Sequence, residues 1–200
     1  MRSILWHVAG LFCHQLPDRS PQFLGSVFPL CFRCAGLYLS VITSFLSLAL
    51  NGGWRRRLPE VRCAIPISLL SVPLFVDGWA NVLGFWSSPG WVRALTGIGV
   101  GLVLPVFLLP LAQRAVDSDD GMEPSLTTPL ALLPPLVMSL VLVWLVVHPM
   151  RLVIFQALAI VAGCAPALFA TIFATAGWRN RSAFRSALGI GPRRRSLVTS

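Results

Sequence analysis

The 200-residue chain contains no lysine and few charged residues of any kind. Its 16 arginines and seven acidic residues make up 12% of the chain, whereas soluble domains average about 25%. Because 56% of the residues are hydrophobic and they occur in long runs, this deficit predicts an integral membrane protein. The arginines flank the apolar runs, so we interpret the net charge of +9 as a topology signal and a lipid-facing collar, and we expect no nucleic-acid binding.

Several motifs that would identify an enzyme are also missing from the sequence. It has no phosphate-binding glycine loop, no hydrolase nucleophile elbow and no HExxH metal motif. We expect no cleavable signal peptide, because the apolar stretch 4–12 is short and no small-residue cleavage site follows it. Residues 4–16 are instead predicted to form an interfacial or re-entrant helix, or an ordinary amphipathic helix on the bundle. Whether the protein is an enzyme stays open.

The apolar runs predict an all-α bundle of about five transmembrane helices with a short N-terminal interfacial helix. The predicted spans are 28–50, 64–86, 91–112, 129–147 and 151–177. Together they form one transmembrane domain, 1–178, followed by a basic tail at 179–200 that we expect to lie on anionic lipid.

The arginines are distributed unequally between the two predicted sides of the membrane. Eleven fall on the side of the C-terminal tail and five on the side of the N-terminus. Cytoplasmic loops carry the excess of basic residues in membrane proteins. The sequence therefore predicts a cell-membrane protein with an extracytoplasmic N-terminus and a cytoplasmic C-terminus.

Small residues and prolines predict how the spans pack and bend. Gly97 and Gly101 form a GxxxG pattern in the third span, and Gly36 begins a four-residue spacing of small residues in the first. Such spacings allow two helix backbones to approach closely. Prolines remove a backbone donor and are expected to kink the second, third and fifth spans. They are Pro66, Pro73, Pro105, Pro110 and Pro166.

Asp77 and Asn81 lie inside the second span and share one helix face, since they are four residues apart. Asp77 is about 13 Å below the predicted outer end, where an unpaired ionised carboxylate costs at least about 2.5–3.5 kcal/mol. Arg33 and Arg93 enter the membrane from the same side and are its natural partners. The group is either a structural ion pair or a site for proton transfer or substrate binding.

Cys13, His14, Cys31 and Cys34 supply three thiols and an imidazole within 22 residues near the start of the first span. Cys3His is a known zinc ligand set, and thiolates favour zinc or copper(I). If the segment 15–27 loops back, these side chains would form a metal site on the extracytoplasmic face, and zinc is the metal that we expect there. Asp77 and Asn81 would then line the cavity beneath it.

The same cysteines permit other interpretations. A structural disulfide could join Cys31 to Cys34 or Cys13 to Cys34. Alternatively, Cys31 and Cys34 could be the catalytic dithiol of a membrane thiol–disulfide oxidoreductase, or the thiols could remain unpaired. A non-catalytic scaffold or small-solute carrier is a further possibility. Cys63 and Cys164 stand alone in apolar surroundings and are assigned no role.

The arginines on the predicted extracytoplasmic side suggest that the protein binds an anionic ligand. Arg19, Arg33 and Arg93 would form a cationic cluster with His14, and arginine binds phosphate with two parallel hydrogen bonds. An anionic lipid or lipid phosphate is the partner that this chemistry predicts. The alternative is that these arginines only determine the membrane topology and extend their charged groups toward the membrane–water interface.

Three segments of the sequence resemble one family. They are Cys13-His14-Gln15-Leu16-Pro17-Asp18-Arg19-Ser20, Cys31-Phe32-Arg33-Cys34-Ala35-Gly36-Leu37-Tyr38, and Asp77-Gly78 through Leu83-Gly84 with Arg93-Ala94-Leu95-Thr96-Gly97. In this pattern they resemble a prokaryotic family of small predicted membrane proteins that is known only as a domain of unknown function. The resemblance covers roughly residues 10–105, and Ala80-Asn81 stands where the family tends to have Thr-Gln.

The resemblance implies one group of functional residues and no particular reaction. Its members are Cys13, His14, Arg19, Cys31, Arg33, Cys34, Tyr38, Asp77, Asn81, Arg93 and Thr96. The first three spans would form the functional half, and the last two would complete the bundle and could form a homodimer.

Overall fold

The computed structural model describes residues 6–7, 9–51, 59–113, 128–148, 154–165 and 171. Within these residues the protein is a bundle of helices with one short β-hairpin, which confirms the all-α prediction. The helices are α1 (Phe32–Leu50), α2 (Val61–Leu69), α3 (Val72–Val82), α4 (Gly90–Gln113), α5 (Leu133–Val147) and α6 (Ile154–Ala165). Short 3-10 helices occur at Pro17–Arg19 and Pro129–Leu132.

Four segments are long and apolar enough to cross a membrane. They are Phe32–Leu50, Val61–Val82, Gly90–Pro110 and Pro129–Val147. These segments correspond to the first four predicted spans. The predicted fifth span is described at 154–165 and 171, where α6 is a shorter apolar helix; its remaining residues and the predicted basic tail lie outside the described residues.

The second span is divided into α2 and α3. At the break, the N–H groups of Leu70 and Ser71 donate to carbonyls three residues earlier, at 3.1 and 3.0 Å. Pro73 lies in the first turn of α3, and its ring excludes a continuous α-helical hydrogen bond at this position. The predicted proline distortion is therefore confirmed as a break, and the helix ends at Val82, four residues before the predicted boundary.

The N-terminal segment is less helical than the sequence predicted. Residues 6–7 and 9–10 are helical, residues 11–12 form a turn, and 13–16 have no regular structure. A hairpin of β1 (Gln22–Phe23) and β2 (Ser26–Val27) follows. Its two turn residues, Leu24 and Gly25, have φ values of 48° and 72°, as a type I′ turn requires. This hairpin reverses the chain and returns it to the start of α1.

Helices α1 and α4 lie side by side and form the most extensive helix pair of the bundle. A Cβ at Gly97 would fall on the carbonyl oxygen of Arg33, and one at Gly101 would fall on the carbonyl oxygen of Leu37. The two helices are therefore parallel and in backbone contact, as the GxxxG pattern predicted. Ser44 Oγ donates to the Leu102 carbonyl at 3.0 Å, farther along the same interface.

The remaining elements pack around this pair. Thr43 on α1 and Ser139 on α5 are joined by a 2.6 Å hydroxyl–hydroxyl hydrogen bond. Phe155 on α6 packs edge-on against Phe28, with ring centroids 5.3 Å apart, so that α6 covers the hairpin end of the core. Large apolar side chains on α2, α3 and α5 face outward, which is the arrangement expected for helices in lipid.

Candidate functional site

Three cysteines from two neighbouring segments of the chain meet at the N-terminal end of α1. The Sγ atoms of Cys13, Cys31 and Cys34, called here the sulfur cluster, all lie within 4.8 Å of one another. Cys31 is the residue that precedes α1, and Cys34 lies in its first turn. The predicted convergence of the three thiols is therefore present in the structure.

Local backbone geometry places Cys13 against the other two residues. The Cys31 N–H donates a hydrogen bond to Cys13 Sγ at 3.3 Å. This N–H belongs to the start of α1, where backbone donors have no partner within the helix. Cys13 itself is buried, with 6% of its surface exposed, and belongs to the hydrophobic core of the bundle.

Gln15 fixes the segment that carries Cys13. Its Nε2 donates to the carbonyls of Trp6 at 2.6 Å and Pro29 at 3.1 Å. The amide thus connects the N-terminal residues to the chain that enters α1. Gln15 belongs to the Cys-His-Gln segment of the sequence, but no role was predicted for it. Its position, two residues after Cys13 and two before Pro17, is a weak signal by itself.

His14 does not join the sulfur cluster. It is exposed, and its ring nitrogens do not belong to the group of ligand atoms formed by the three cysteines. Cys13 faces the core while the next residue faces outward. The structure therefore brings together three of the four side chains that the sequence proposed as ligands.

The sulfur cluster stabilises a thiolate. All three cysteines are free in the structure. Hydrogen bonds from the thiols of Cys31 and Cys34, together with the Cys31 N–H, lower the pKa of Cys13 far below its ordinary value. The hydrogen bond that Cys31 donates to Cys13 raises the pKa of Cys31, because it favours the protonated thiol. One thiol is therefore ionised first, and Cys13 is the one that the geometry selects.

A second group of side chains, called here the polar network, joins α1, α3 and the start of α4. Arg33 Nη2 forms an ion pair and hydrogen bond with Asp77 Oδ2. Asn81 Nδ2 donates to Asp77 Oδ1 at 3.1 Å and to Ser88 Oγ at 2.8 Å. Asp77 is only 7% exposed, so the predicted pairing of a buried carboxylate is confirmed for Arg33.

Arg93 completes the polar network without contacting the carboxylate. Its Nη2 donates to Asn81 Oδ1 at 3.0 Å, and its Nε donates to Ser88 Oγ at 3.2 Å. Thr96 Oγ1 donates to the Arg93 carbonyl at 3.0 Å. Asn81 therefore connects Arg93 to Asp77, and the amide has the hydrogen-bonding role that its position suggested. Ser88 was missed, because a serine beside Pro-Gly reads as part of an ordinary loop.

The sulfur cluster and the polar network occupy the same end of the bundle. Arg93 lies within electrostatic range of Arg19, Arg33, Asp77 and Cys31. Tyr38, one turn after Cys34, is half-buried and packs against the same core. The residues that the sequence grouped together are thus assembled from the hairpin segment and three helices.

These observations define a multi-pass α-helical membrane protein with a cysteine cluster and a buried polar network at one end. Residues 13–107 match the family described as predicted membrane protein (DUF2085), and the chain belongs to that family. The match begins at Cys13 and ends within α4, so it contains the sulfur cluster and the polar network and excludes α5 and α6.

Two archaeal relatives support this assignment. An uncharacterized protein of Methanothermobacter thermautotrophicus is 35% identical over 97 residues, which are 47% of this chain and 81% of the relative. An uncharacterized protein of Methanocaldococcus jannaschii is 28% identical over 111 residues, which are 54% of this chain and 67% of the relative. No solved structure matches the chain.

Proposed function

We propose that the sulfur cluster is a zinc centre on the extracytoplasmic side of the membrane, with Cys13, Cys31 and Cys34 as its ligands. The observation that carries the proposal is the convergence of three sulfurs within 4.8 Å. Tetrahedral zinc with Zn–S bonds of about 2.3 Å needs sulfurs about 3.8 Å apart. The cluster is therefore close to the required dimensions, and small side-chain rotations complete it.

The chemistry of the donors supports this proposal. Zinc is bound by thiolates, and the structure already favours a thiolate at Cys13. Cys31 immediately precedes α1 and Cys34 lies in its first turn, so both residues are near the positive end of the α1 dipole. Arg93 lies within electrostatic range of Cys31, so the site has a cation in its surroundings.

Three protein ligands leave one coordination position for water or substrate. Closed structural zinc sites have four protein ligands, whereas catalytic sites have three and an open position. A bound zinc ion would supply Lewis acidity and an activated water at the open position. The sequence predicted His14 as the fourth ligand, but its ring lies outside the sulfur cluster, so the proposed centre has three protein ligands.

Metal analysis of the purified full chain tests the zinc centre. The wild-type protein is expected to contain about one zinc per chain, and Cys13→Ser to lose most of it, because serine does not supply a thiolate. Cys63→Ser is the matched control, since Cys63 is equally buried but lies outside the sulfur cluster. His14→Ala is expected to retain zinc. A metal-free wild-type protein would contradict the proposal.

A thiol–disulfide oxidoreductase is the second candidate, and one observation favours it. Cys31 and Cys34 stand at the start of a helix with a third thiol within reach, which is the arrangement that exchange between thiols and disulfides requires. Thiol counting separates the candidates. Thiols that become reactive only after a chelator is added support zinc, whereas a pair that becomes reactive under mild reduction alone supports the oxidoreductase.

The orientation forms part of the proposal. The described contacts place the sulfur cluster, the C-terminal end of α3 and the start of α4 at one end of the bundle. α1 leads away from that end, and in the sequence it is followed by three consecutive arginines at 55–57. Basic residues mark the cytoplasmic side. The sulfur cluster is therefore assigned to the extracytoplasmic side.

A further inference from the structure

Arg33 has a buried donor that the polar network does not use. Its Nη2 is engaged with Asp77, but its Nε is inaccessible to solvent and has no hydrogen-bond partner among the described residues. A buried donor without an acceptor costs about 1–3 kcal/mol, and most such groups in proteins are paired. An acceptor that the protein itself does not provide would remove this cost.

Arg93 is a buried cation whose partners are neutral. It is 8% exposed, and its two hydrogen bonds go to a hydroxyl and an amide oxygen. It has no ion pair with a carboxylate among the residues that the structure describes. Buried guanidinium groups are normally paired with an anion, because desolvating the charge is costly. Asp77 is already engaged with Arg33, so a second negative group fits here.

Two helices add positive potential at the same place. Arg33 is the second residue of α1, and Arg93 is the fourth residue of α4. The two helices are parallel, and neither has an acidic residue in its first turn. Helix N-termini attract anions, and basic residues there are unfavourable unless an anion is present. Arg19, which is exposed and within electrostatic range of Arg93, adds a third guanidinium at the rim.

We propose that Arg33 and Arg93, with Arg19 at the rim, bind a phosphate-type oxyanion. Arginine recognises phosphate through parallel N–H donors, and the free Nε of Arg33 supplies one of them. This site is adjacent to the zinc centre proposed above but does not depend on it. Its ligand is either the phosphate of a lipid headgroup or a soluble phosphate, and both present the same oxygens.

Two tryptophans beside the polar network relate the arginine site to the level of the lipid headgroups. Trp86 and Trp91 flank the loop that contains Ser88, and both indole rings are exposed. Tryptophan is enriched at the level of lipid headgroups. The polar network therefore lies next to the depth at which lipid phosphates occur, so a headgroup reaches the arginines without leaving the membrane.

Phosphate binding to the purified full chain tests the proposal. The soluble probe is inorganic phosphate added to protein in a neutral detergent, followed by 31P line broadening. The lipid probe is short-chain phosphatidylglycerol, titrated under the same conditions. Arg93→Gln and Arg33→Lys are the test variants. The lysine retains a positive charge for Asp77 but lacks the Nε donor. Arg62→Gln is the control, because Arg62 is exposed in the first turn of α2 and lies outside the polar network.

We expect saturable binding to the wild type and the control, and about tenfold weaker binding to both test variants. If only phosphatidylglycerol binds, the ligand of the site is a lipid headgroup. If both probes bind, the site recognises the phosphate group itself. Either result supports the site. Equal weakening in the Arg62 control would show that net charge is responsible and would overturn it. Zinc loss in Arg93→Gln without phosphate binding by any form would assign the arginines to the sulfur cluster instead.

The double variant Arg33→Gln/Asp77→Asn covers the case in which a single change disrupts folding. It removes both charges of the ion pair together and leaves two neutral amide side chains. A folded double variant that binds phosphate as tightly as the wild type would exclude Arg33 from the site. Zinc content measured on the same samples reports independently on the proposal for the sulfur cluster.

Discussion

At the residue scale, Asp77 shows how a buried charge is accommodated. The carboxylate lies among apolar helices, and its two oxygens are shared between Arg33 and Asn81. The Arg33 side chain is partly exposed, so Asp77 is more strongly desolvated than Arg33. Removing one member of such a pair is costly because the other charge remains.

Asp77→Asn is expected to destabilise the protein by about 2–3 kcal/mol, because Arg33 keeps its charge and loses its partner. Chemical unfolding in a neutral detergent measures this difference. Asp18→Asn is the control, since Asp18 is exposed on the 3-10 helix Pro17–Arg19, and we expect a change below about 0.5 kcal/mol. Equal stability of Asp77→Asn and the wild type would mean that the ion pair makes no net contribution.

At the element scale, the pairing of α1 with α4 determines where the polar residues meet. Gly36 faces the Ala94 carbonyl, and Gly97 faces the Arg33 carbonyl. Larger residues at these positions would separate the helices. Because Arg33 and Arg93 lie within one turn of these contacts, the helix spacing also brings the backbones of the two arginines close together.

Gly97→Ala is expected to lower stability by about 1–3 kcal/mol, because its Cβ would collide with the Arg33 backbone. Gly78→Ala is a closely matched control, since a Cβ at this helical position has no neighbour within 4 Å. The control should be neutral or stabilised by up to about 1 kcal/mol through helix propensity. Unfolding of both variants in the same detergent tests the contrast. Similar values would show that the α1–α4 contact tolerates separation.

The hairpin is the second element that assembles the site. It places Cys13 next to Cys31 even though 18 residues separate them in the sequence. The positive φ values of Leu24 and Gly25 create the tight turn. The glycine adopts this conformation easily, whereas the leucine does so at a cost that the surrounding contacts must offset.

At the scale of the whole molecule, the orientation and the number of crossings are linked. Four described segments are long and apolar enough to span the membrane, and α6 is a shorter apolar helix within the predicted fifth span. An odd number of crossings places the two termini on opposite sides. The arginine bias predicts that the C-terminus is the cytoplasmic one.

A reporter fused to either end of the full chain tests this arrangement. A C-terminal fusion is expected to be active as a cytoplasmic reporter, and an N-terminal fusion to report an extracytoplasmic position. Termini on the same side would mean an even number of crossings and would contradict a span over 151–177. Opposite termini with the reverse orientation would move the sulfur cluster to the cytoplasmic side.

The sequence predicted the elements of the candidate site better than its contacts. Apolar length identified four spans, and Pro73 identified the break in the second one. The spacing of Asp77 and Asn81 correctly placed both on one helix face. The sequence could not show that Arg93 binds Asn81 instead of Asp77. The partner of Arg93 depends on side-chain geometry across two helices.

The sequence by itself determined that this protein is a helical membrane protein with cysteines, arginines and one acidic residue near one membrane surface, because length, polarity and local spacing are properties of the chain. Tertiary structure alone decided which of those groups meet. The hairpin brought Cys13 to α1 and left His14 outside, and the close α1–α4 contact aligned the two arginines. Contacts between distant segments depend on backbone approach and turn geometry, which local composition does not encode.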